Sequence, residues 1–308
     1  MTAEQPKAAA LHGVNPIVPT PFTDAGEVDV ASLRRLVDFQ AAAGVHGIAI
    51  LGFLGEAHKL SGAERRVVVE TVVEQTAGRF PVWVGVRALG TAGAIEQARE
   101  AEELGASAVF VAPIAPQNDA ALYAYYKAVA QSIGIPLILH DYPQSFGITL
   151  SPELIGRLAK DGYAPYIKLE ESPPLPKVTR VLQESGGSIG VFGGLGGVYF
   201  LEELERGALG IMTGFAFPEV LVRIYDQFTA GDHVVAAATF DRYMPLIRYE
   251  FQPNIGLAFR KHVYWRQGVF QSPYIRPPGA ALDEYTKGEL ERLIARVGLS
   301  LERVAAVG

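Results

Sequence analysis

The sequence predicts an α/β fold, a (β/α)8 TIM barrel with a C-terminal helical extension, on three observations. Eight short β-rich runs recur at intervals of roughly 25 to 35 residues, each followed by a helical pattern, which is the rhythm of parallel βα units. A length of 308 residues holds eight such units, for which about 250 residues is typical, with chain to spare. The rival doubly wound sheet would carry a Gly-x-Gly-x-x-Gly turn after its first strand, where this chain reads Pro19-Thr20-Pro21-Phe22.

Residues 1–12 read as a flexible N-terminus and residues 13–230 as the barrel. Strand one is expected between Gly13 and Phe22, followed by a helix from Val30 to Ala43 that Gly44 stops. The second unit pairs Gly47 to Gly52 with a helix from Ser61 to Thr76, in which Ser61 is the N-cap and Glu64 closes a capping box. Pro81 to Val86 and a helix from Thr91 to Leu104 make the third. Strands four and five are Ala108 to Pro113 and Pro136 to His140, with Ala120 to Ile133 helical between them. A helix from Ser151 to Lys160 precedes strand six, which carries Lys168; strand seven lies near Val191 to Gly194 and strand eight at Gly210 to Gly214. The eighth helix runs from Pro218 to Ala230. Residues 231–308 form the C-terminal helical region, with helices at His233 to Arg248, Ile255 to Gln267 and Leu282 to Val297, and the proline-rich connector Ser272 to Gly279 before the last.

Composition removes several function classes. With 49% hydrophobic and 19% charged residues the chain is an ordinary globular one, and 27 basic against 33 acidic residues argues against nucleic-acid or anionic-membrane partners. The lack of cysteine excludes disulfides, thiolate metal sites and cysteine nucleophiles. No basic-then-apolar leader and no apolar run of 18 residues occurs, so a cytoplasmic location is expected. The six histidines lack metal-ligand spacing, and neither a phosphate-cradling loop nor a Gly-x-Ser-x-Gly elbow is present; no metal and no cofactor is expected.

One residue is out of place. Lys7, Lys59, Lys127, Lys160, Lys177, Lys261 and Lys287 fall in tails, loops or helical segments where solvation is expected, whereas Lys168 sits in the apolar run Tyr166-Ile167-Lys168-Leu169-Glu170. Strand side chains alternate, so Ile167 and Leu169 claim the helix layer and Lys168 and Glu170 face the lumen. Burial there lowers a lysine pKa and yields a neutral amine, a nucleophile that forms Schiff bases with ketones. The alternatives are a plain buried ion pair between Lys168 and Glu170, or a strand placed differently so that Lys168 reaches solvent.

Three further loops open on the same end of the barrel, where such folds place their chemistry. Gly52-Phe53-Leu54-Gly55-Glu56 offers backbone N–H groups to an anion such as a carboxylate. His140, at the end of strand five, offers an imidazole for acid/base work. Gly193-Gly194-Leu195-Gly196-Gly197, after strand seven, permits close ligand approach, or is simply a flexible loop.

Together these residues resemble the dihydrodipicolinate synthase / N-acetylneuraminate lyase family of Schiff-base barrel lyases, over essentially residues 13 to 300. Gly52-Phe53-Leu54-Gly55-Glu56 is similar to the family's Gly-Thr-Thr-Gly-Glu loop, Leu139-His140-Asp141-Tyr142-Pro143 to Leu-Tyr-Asn-x-Pro, and Ile167-Lys168 to the Ile-Lys that carries the Schiff-base lysine. The resemblance implies that the amides of Phe53 and Leu54 hold a substrate carboxylate and that Gly193 and Met212 line the pocket. It also implies a small-molecule 2-keto acid such as pyruvate as partner and a homo-oligomer, tetramer or dimer.

Departures from the family pattern carry information as well. Phe53 and Leu54 replace two threonines, His140 stands at the catalytic tyrosine, Ile114-Ala115 at a neighbouring subunit's tyrosine pair, and Ser145 at the arginine that binds a second substrate. Lys168-Leu169-Glu170, Met212-Thr213-Gly214-Phe215-Ala216-Phe217-Pro218 and the run from Pro245 to Glu250 resemble the 2-keto-3-deoxy sugar-acid dehydratase branch. The expected function is therefore a lyase, aldolase or dehydratase, acting on a 2-keto-3-deoxy acid. Lys168 would be its nucleophile, His140 or Glu170 its acid/base, and Thr213 a supporting hydroxyl. Dihydrodipicolinate synthase activity and a non-catalytic 2-keto-acid-binding barrel are the alternatives.

Overall fold

A computed structural model of the chain describes residues 11–302 apart from 89 and 114–117, which leaves Ile114 and Ala115 outside the described residues. Eight parallel strands form one sheet: β1 (Gly13–Val14), β2 (Ile48–Ile50), β3 (Val82–Val86), β4 (Ala108–Val111), β5 (Leu137–Asp141), β6 (Tyr166–Leu169), β7 (Gly190–Gly193) and β8 (Gly210–Ile211). From β2 to β8 each strand pairs with its sequence neighbour, and β8 pairs with β1. Just beyond β1 the chain bridges to β2 at Ile17 and Ala49, which closes the TIM barrel.

Around it run α1 (Val30–Ala42), α2 (Gly62–Thr76), α3 (Thr91–Glu103), α4 (Asp119–Ala130), the single turn α5 (Pro143–Phe146), α6 (Pro152–Lys160), α7 (Pro174–Ser185), α8 (Phe200–Glu205) and α9 (Pro218–Thr229). Local chemistry starts several of them. Ser61 and Glu64 form the expected reciprocal capping box on α2, and Asp29, Asn118 and Ser151 each accept from a first-turn N–H. Three helices follow the barrel: α10 (His233–Glu250), α11 (Gly256–Arg266) and α12 (Glu284–Arg296).

Strand alternation creates two cores. Ile17, Ala49, Trp83, Phe110, Ile138, Phe192 and Met212 fill the lumen, while Ile50, Val84, Val109, Leu139, Ile167, Leu169 and Val191 pack outward on the helices. Fully burying each large lumen aromatic contributes on the order of 2 to 3 kcal/mol, so the lower barrel is a packed plug rather than a channel. Only its upper end is open for chemistry.

Two expectations about strand length need correction. Strand one holds regular pairing only at Gly13–Val14, because prolines at 16, 19 and 21 lack the N–H a ladder requires; Asn15 and Ile17 still donate to Ile211 and Thr213. Strand eight ends at Ile211, so Met212, Thr213 and Gly214 already belong to the loop above it. Gly210, with φ of 156°, is required at this seam, since a Cβ there would stand 2.0 Å from the Gly13 carbonyl oxygen.

The expectation that every lysine but Lys168 is solvated also fails. Lys261 is fully buried, Lys177 is 8% exposed, and the Lys59 side chain is just as enclosed. The reason is compensation: each reaches a buried carboxylate. Lys261 and Lys59 meet Glu56, and Lys177 meets Asp141 and Glu171.

Candidate active site

β5 and β6 lie side by side in register, with His140 opposite Lys168. Because the residues share a parity, both point into the lumen, and Glu170, two positions past Lys168, points the same way. Lys168 Nζ lies 2.5 Å from Glu170 Oε2 and 3.3 Å from His140 Nε2, and the same His140 nitrogen is 3.0 Å from Glu170 Oε2. Glu170 is fixed from its other side by the Leu195 N–H on Oε1 and by its own N–H donating to the Asp141 carbonyl. Asp141 in turn forms an ion pair with Lys177 at 2.7 Å, so α7 braces the end of β5 from behind.

All three groups are buried, and burial sets their protonation. It pushes the Lys168 amine below its ordinary value against the pull of Glu170. His140 is enclosed by Phe110, Phe146 and Tyr142; burial, then the Lys168 charge, lowers its pKa to about 4, so the imidazole is neutral at pH 7. Burial alone would raise Glu170, yet the Lys168 ammonium and the hydrogen bond from His140 outweigh it and hold the carboxyl at about 2. At pH 7 the site therefore holds an ionised Glu170 and a neutral His140 beside a lysine whose ammonium burial has made more acidic than a free one.

Lys168 is paired but not sealed. With His140, Glu170 and Thr213 it lines a cavity of about 440 Å³ at the upper end of the barrel. Phe53 and Leu54 form another wall, and among the described residues their backbone N–H groups find no acceptor, as an anion-binding loop requires. The loop is held open by Glu56, whose φ of 55° is left-handed, by Thr20 Oγ donating to the Gly55 carbonyl at 2.6 Å, and by the buried Lys261 on the Glu56 carboxylate.

The expected substrate-binding residues do not all reach the cavity. Phe53, Leu54 and Thr213 line it; Gly52 instead borders a small side pocket with Phe53 and His140. Met212 is packed in the lumen plug, and Gly193 backs onto Glu203, whose Oε2 would lie 1.7 Å from a Cβ. From the strand-seven loop it is Gly196 that lines the cavity, and Gly194 that lets the chain pass Glu170, whose Cγ would lie 2.3 Å from a Cβ. Ser145 lies in α5.

Sequence reasoning gave the roof no role, although Glu250 closes the run from Pro245 that carries the dehydratase likeness. Glu250, at the end of α10, and Gly256, Leu257 and Arg260 of α11 face the same cavity, as do Ile275, Pro278 and Gly279 of the connector. Glu250 and Arg260 are both buried. Nothing in a helical pattern signals that one residue of ten will bend back over a barrel mouth. Among the described residues no group of three or more histidine or acidic side chains is placed to hold a metal ion.

Comparison with known proteins agrees with this fold. The model of the dihydrodipicolinate synthetase family matches residues 10–297. The chain is 32% identical to the L-2-keto-3-deoxyarabonate dehydratase of Azospirillum brasilense, over 92% of this chain and 94% of that protein. It is also 32% identical to the 4-hydroxy-tetrahydrodipicolinate synthase of Methanopyrus kandleri, over 94% and 97%. Among solved structures, dihydrodipicolinate synthase from Rhodopseudomonas palustris superposes with a TM-score of 0.87 at 36% identity, covering 93% of this chain and 97% of that one. The enzyme from Acinetobacter baumannii, in complex with pyruvate, superposes at 0.88 with 26% identity, covering 94% and 100%. With a barrel closed in the same way and a lysine of β6 on the wall of its upper cavity, the chain belongs to the dihydrodipicolinate synthetase family and is a lyase.

Proposed function

We propose that the protein is a Schiff-base lyase that dehydrates a 2-keto-3-deoxy sugar acid, with Lys168 as the nucleophile. The observation that carries this is the placement of Lys168 Nζ, buried, next to Glu170 and on the cavity wall. The substrate carboxylate rests on the N–H groups of Phe53 and Leu54, and the C2 ketone meets the amine. Lys168 passes a proton to Glu170 and adds to C2 as the free amine. One proton from the nitrogen and the one held by Glu170 then leave with the carbonyl oxygen as water, and an iminium remains beside the Glu170 carboxylate. Glu170 then removes a proton from C3, and the electron pair is stored as an enamine. Expulsion of the C4 hydroxyl, reprotonated as water, returns the double bond, and hydrolysis frees Lys168.

Glu170 is favoured over His140 as the C3 base on position: both are unprotonated at pH 7, but the Glu170 carboxylate lies 2.5 Å from Lys168 Nζ against 3.3 Å for His140 Nε2. His140 then acts as a positioning residue for Glu170 and Lys168. The 32% identity to a 2-keto-3-deoxyarabonate dehydratase supports the substrate class. Dihydrodipicolinate synthase activity is the second reading, favoured by the identity to the Methanopyrus kandleri enzyme and opposed by Ser145 and His140 at positions where the resemblance calls for arginine and tyrosine. Family membership supports a homo-oligomer, tetramer or dimer, in the cytoplasm, and sedimentation velocity checks the assembly.

Borohydride reduction in the presence of pyruvate tests the first step: a lactyl adduct on Lys168 is expected, and its absence by peptide mass would sink the scheme. A His140→Phe variant is expected to keep the adduct while turnover falls roughly 10 to 100-fold. Full turnover in that variant removes His140 from the mechanism.

A further inference from the structure

The roof of the cavity contains an unfinished hydrogen-bond pair. Arg260 is 3% exposed, yet its Nε lies 3.5 Å from Glu250 Oε2, too far for a hydrogen bond, and has no other partner among the described residues. Its Nη2 makes a long contact, 3.4 Å, to the Glu250 carbonyl oxygen. Glu250, fully buried, accepts the Ala216 N–H on Oε2 at 3.1 Å, while its Oε1 is unpartnered. Both residues line the cavity that holds Lys168.

Space around the guanidinium has been cleared on two sides. A Cβ on Gly214 would lie 3.1 Å from Arg260 Nε and 2.5 Å from Leu54 Cδ1, and one on Gly256 would lie 3.1 Å from Nη1 and 2.6 Å from the Glu250 carbonyl oxygen. Two glycines thus let Arg260 reach between the strand-eight loop and the α10–α11 turn toward the cavity. A buried donor and a buried acceptor left open beside each other cost stability unless a ligand completes them.

We propose that Arg260 and Glu250 form a distal subsite that binds a hydroxyl at the far end of the substrate, selecting 2-keto acids hydroxylated beyond C3. A sugar-acid hydroxyl can accept from Arg260 and donate to Glu250 at once. A methyl group leaves both atoms orphaned, and a carboxylate satisfies Arg260 but confronts the Glu250 oxygen with another acceptor. The inference rests on the Schiff-base reading of Lys168 and adds to it what the apolar pair Phe53 and Leu54 cannot supply, a polar grip on the rest of the chain.

The test compares three five-carbon acids by the concentration that gives half-maximal borohydride trapping on Lys168: 4,5-dihydroxy-2-oxopentanoate, 2-oxopentanoate and 2-oxoglutarate. Pyruvate, which has no far end, is the control. In the wild type the dihydroxy acid is expected to trap at a concentration roughly 100-fold below the other two, because a site built for a hydroxyl rejects analogues that leave it unpaired. In Arg260→Met, and in Arg260→Met/Glu250→Leu, which leaves neither charge unpaired, that ratio should fall below about 10 while pyruvate trapping is unchanged. Equal trapping of 2-oxopentanoate or 2-oxoglutarate in the wild type, or an undiminished ratio in both variants, overturns the subsite. Failure of pyruvate itself to trap in the wild type overturns the Schiff-base reading and the subsite together.

Discussion

Lys168 and Lys261 are both buried, and each meets a buried glutamate, yet they have opposite surroundings. Lys261 sits on the Glu56 carboxylate, donates to the Tyr274 carbonyl at 2.9 Å and stands 4.4 Å from the centroid of the Phe22 ring. Its donors are occupied, and it borders no described cavity. Lys168 shares its single carboxylate with His140 and faces empty volume. Burial and pairing are therefore common to a lysine that holds the fold and one placed to react. Access and spare hydrogen-bonding capacity separate them.

The comparison breaks most sharply under exchange of fates. Lys168→Ala is expected to lose the pyruvate adduct and at least about 1,000-fold in turnover, with the fold retained because His140 can take up a proton beside Glu170. A variant that still turns over would move the chemistry elsewhere. Lys261→Met is expected to do the reverse, costing roughly 3 kcal/mol in urea unfolding by leaving Glu56 to Lys59 alone, while the folded fraction still forms the adduct at Lys168. Wild-type stability in Lys261→Met would show that the pair holds nothing.

Glu203 supplies a third contrast, a buried carboxyl with no basic partner. Both of its oxygens are unpartnered among the described residues, and burial, then the charge of Glu170, raises its pKa to about 8. Its folded value lies above the usual 4.5, so the native state holds a proton that the unfolded chain releases. Stability is then lost as pH rises from about 4.5 to 8, and Glu203→Gln should remove a loss on the order of a few kcal/mol, read as a flatter unfolding profile across that window. The smallest effect concerns Lys261 itself, which burial lowers to about 8 from 10.5. Between those values the unfolded chain binds the extra proton, so this group makes stability rise with pH, and the wild-type slope there should exceed that of Lys261→Met.

The barrel was legible because periodicity is local: eight βα units, the Ser61–Glu64 box and the inward parity of Lys168 with Glu170 all follow from spacing along the chain. What was not legible depends on distance across the fold. Lys261 and Lys177 read as solvated helix residues because the carboxylates that bury them, Glu56 and Asp141, lie on other elements. Gly193 and Met212 carry a motif likeness, yet Glu203 and the lumen plug occupy the space they face. Arg260 and Glu250 are ten positions apart in two helices, and only the turn between them brings the two together over the cavity.

Arg260 and Lys261 are consecutive on α11, and a helix sends consecutive side chains about 100° apart. One reaches the roof of the cavity and the other grips Glu56 at the end of the loop that begins at Gly52. A single helix thus lines the cavity at Arg260 and ties down, through Glu56, the loop whose Phe53 and Leu54 form another of its walls. It works as a caliper whose jaws cannot be reset independently: a rotation or slide of α11 that repositions Arg260 also pulls on Glu56. Altering the length of acid accepted would then call for new side chains on α11, with the helix left where it is.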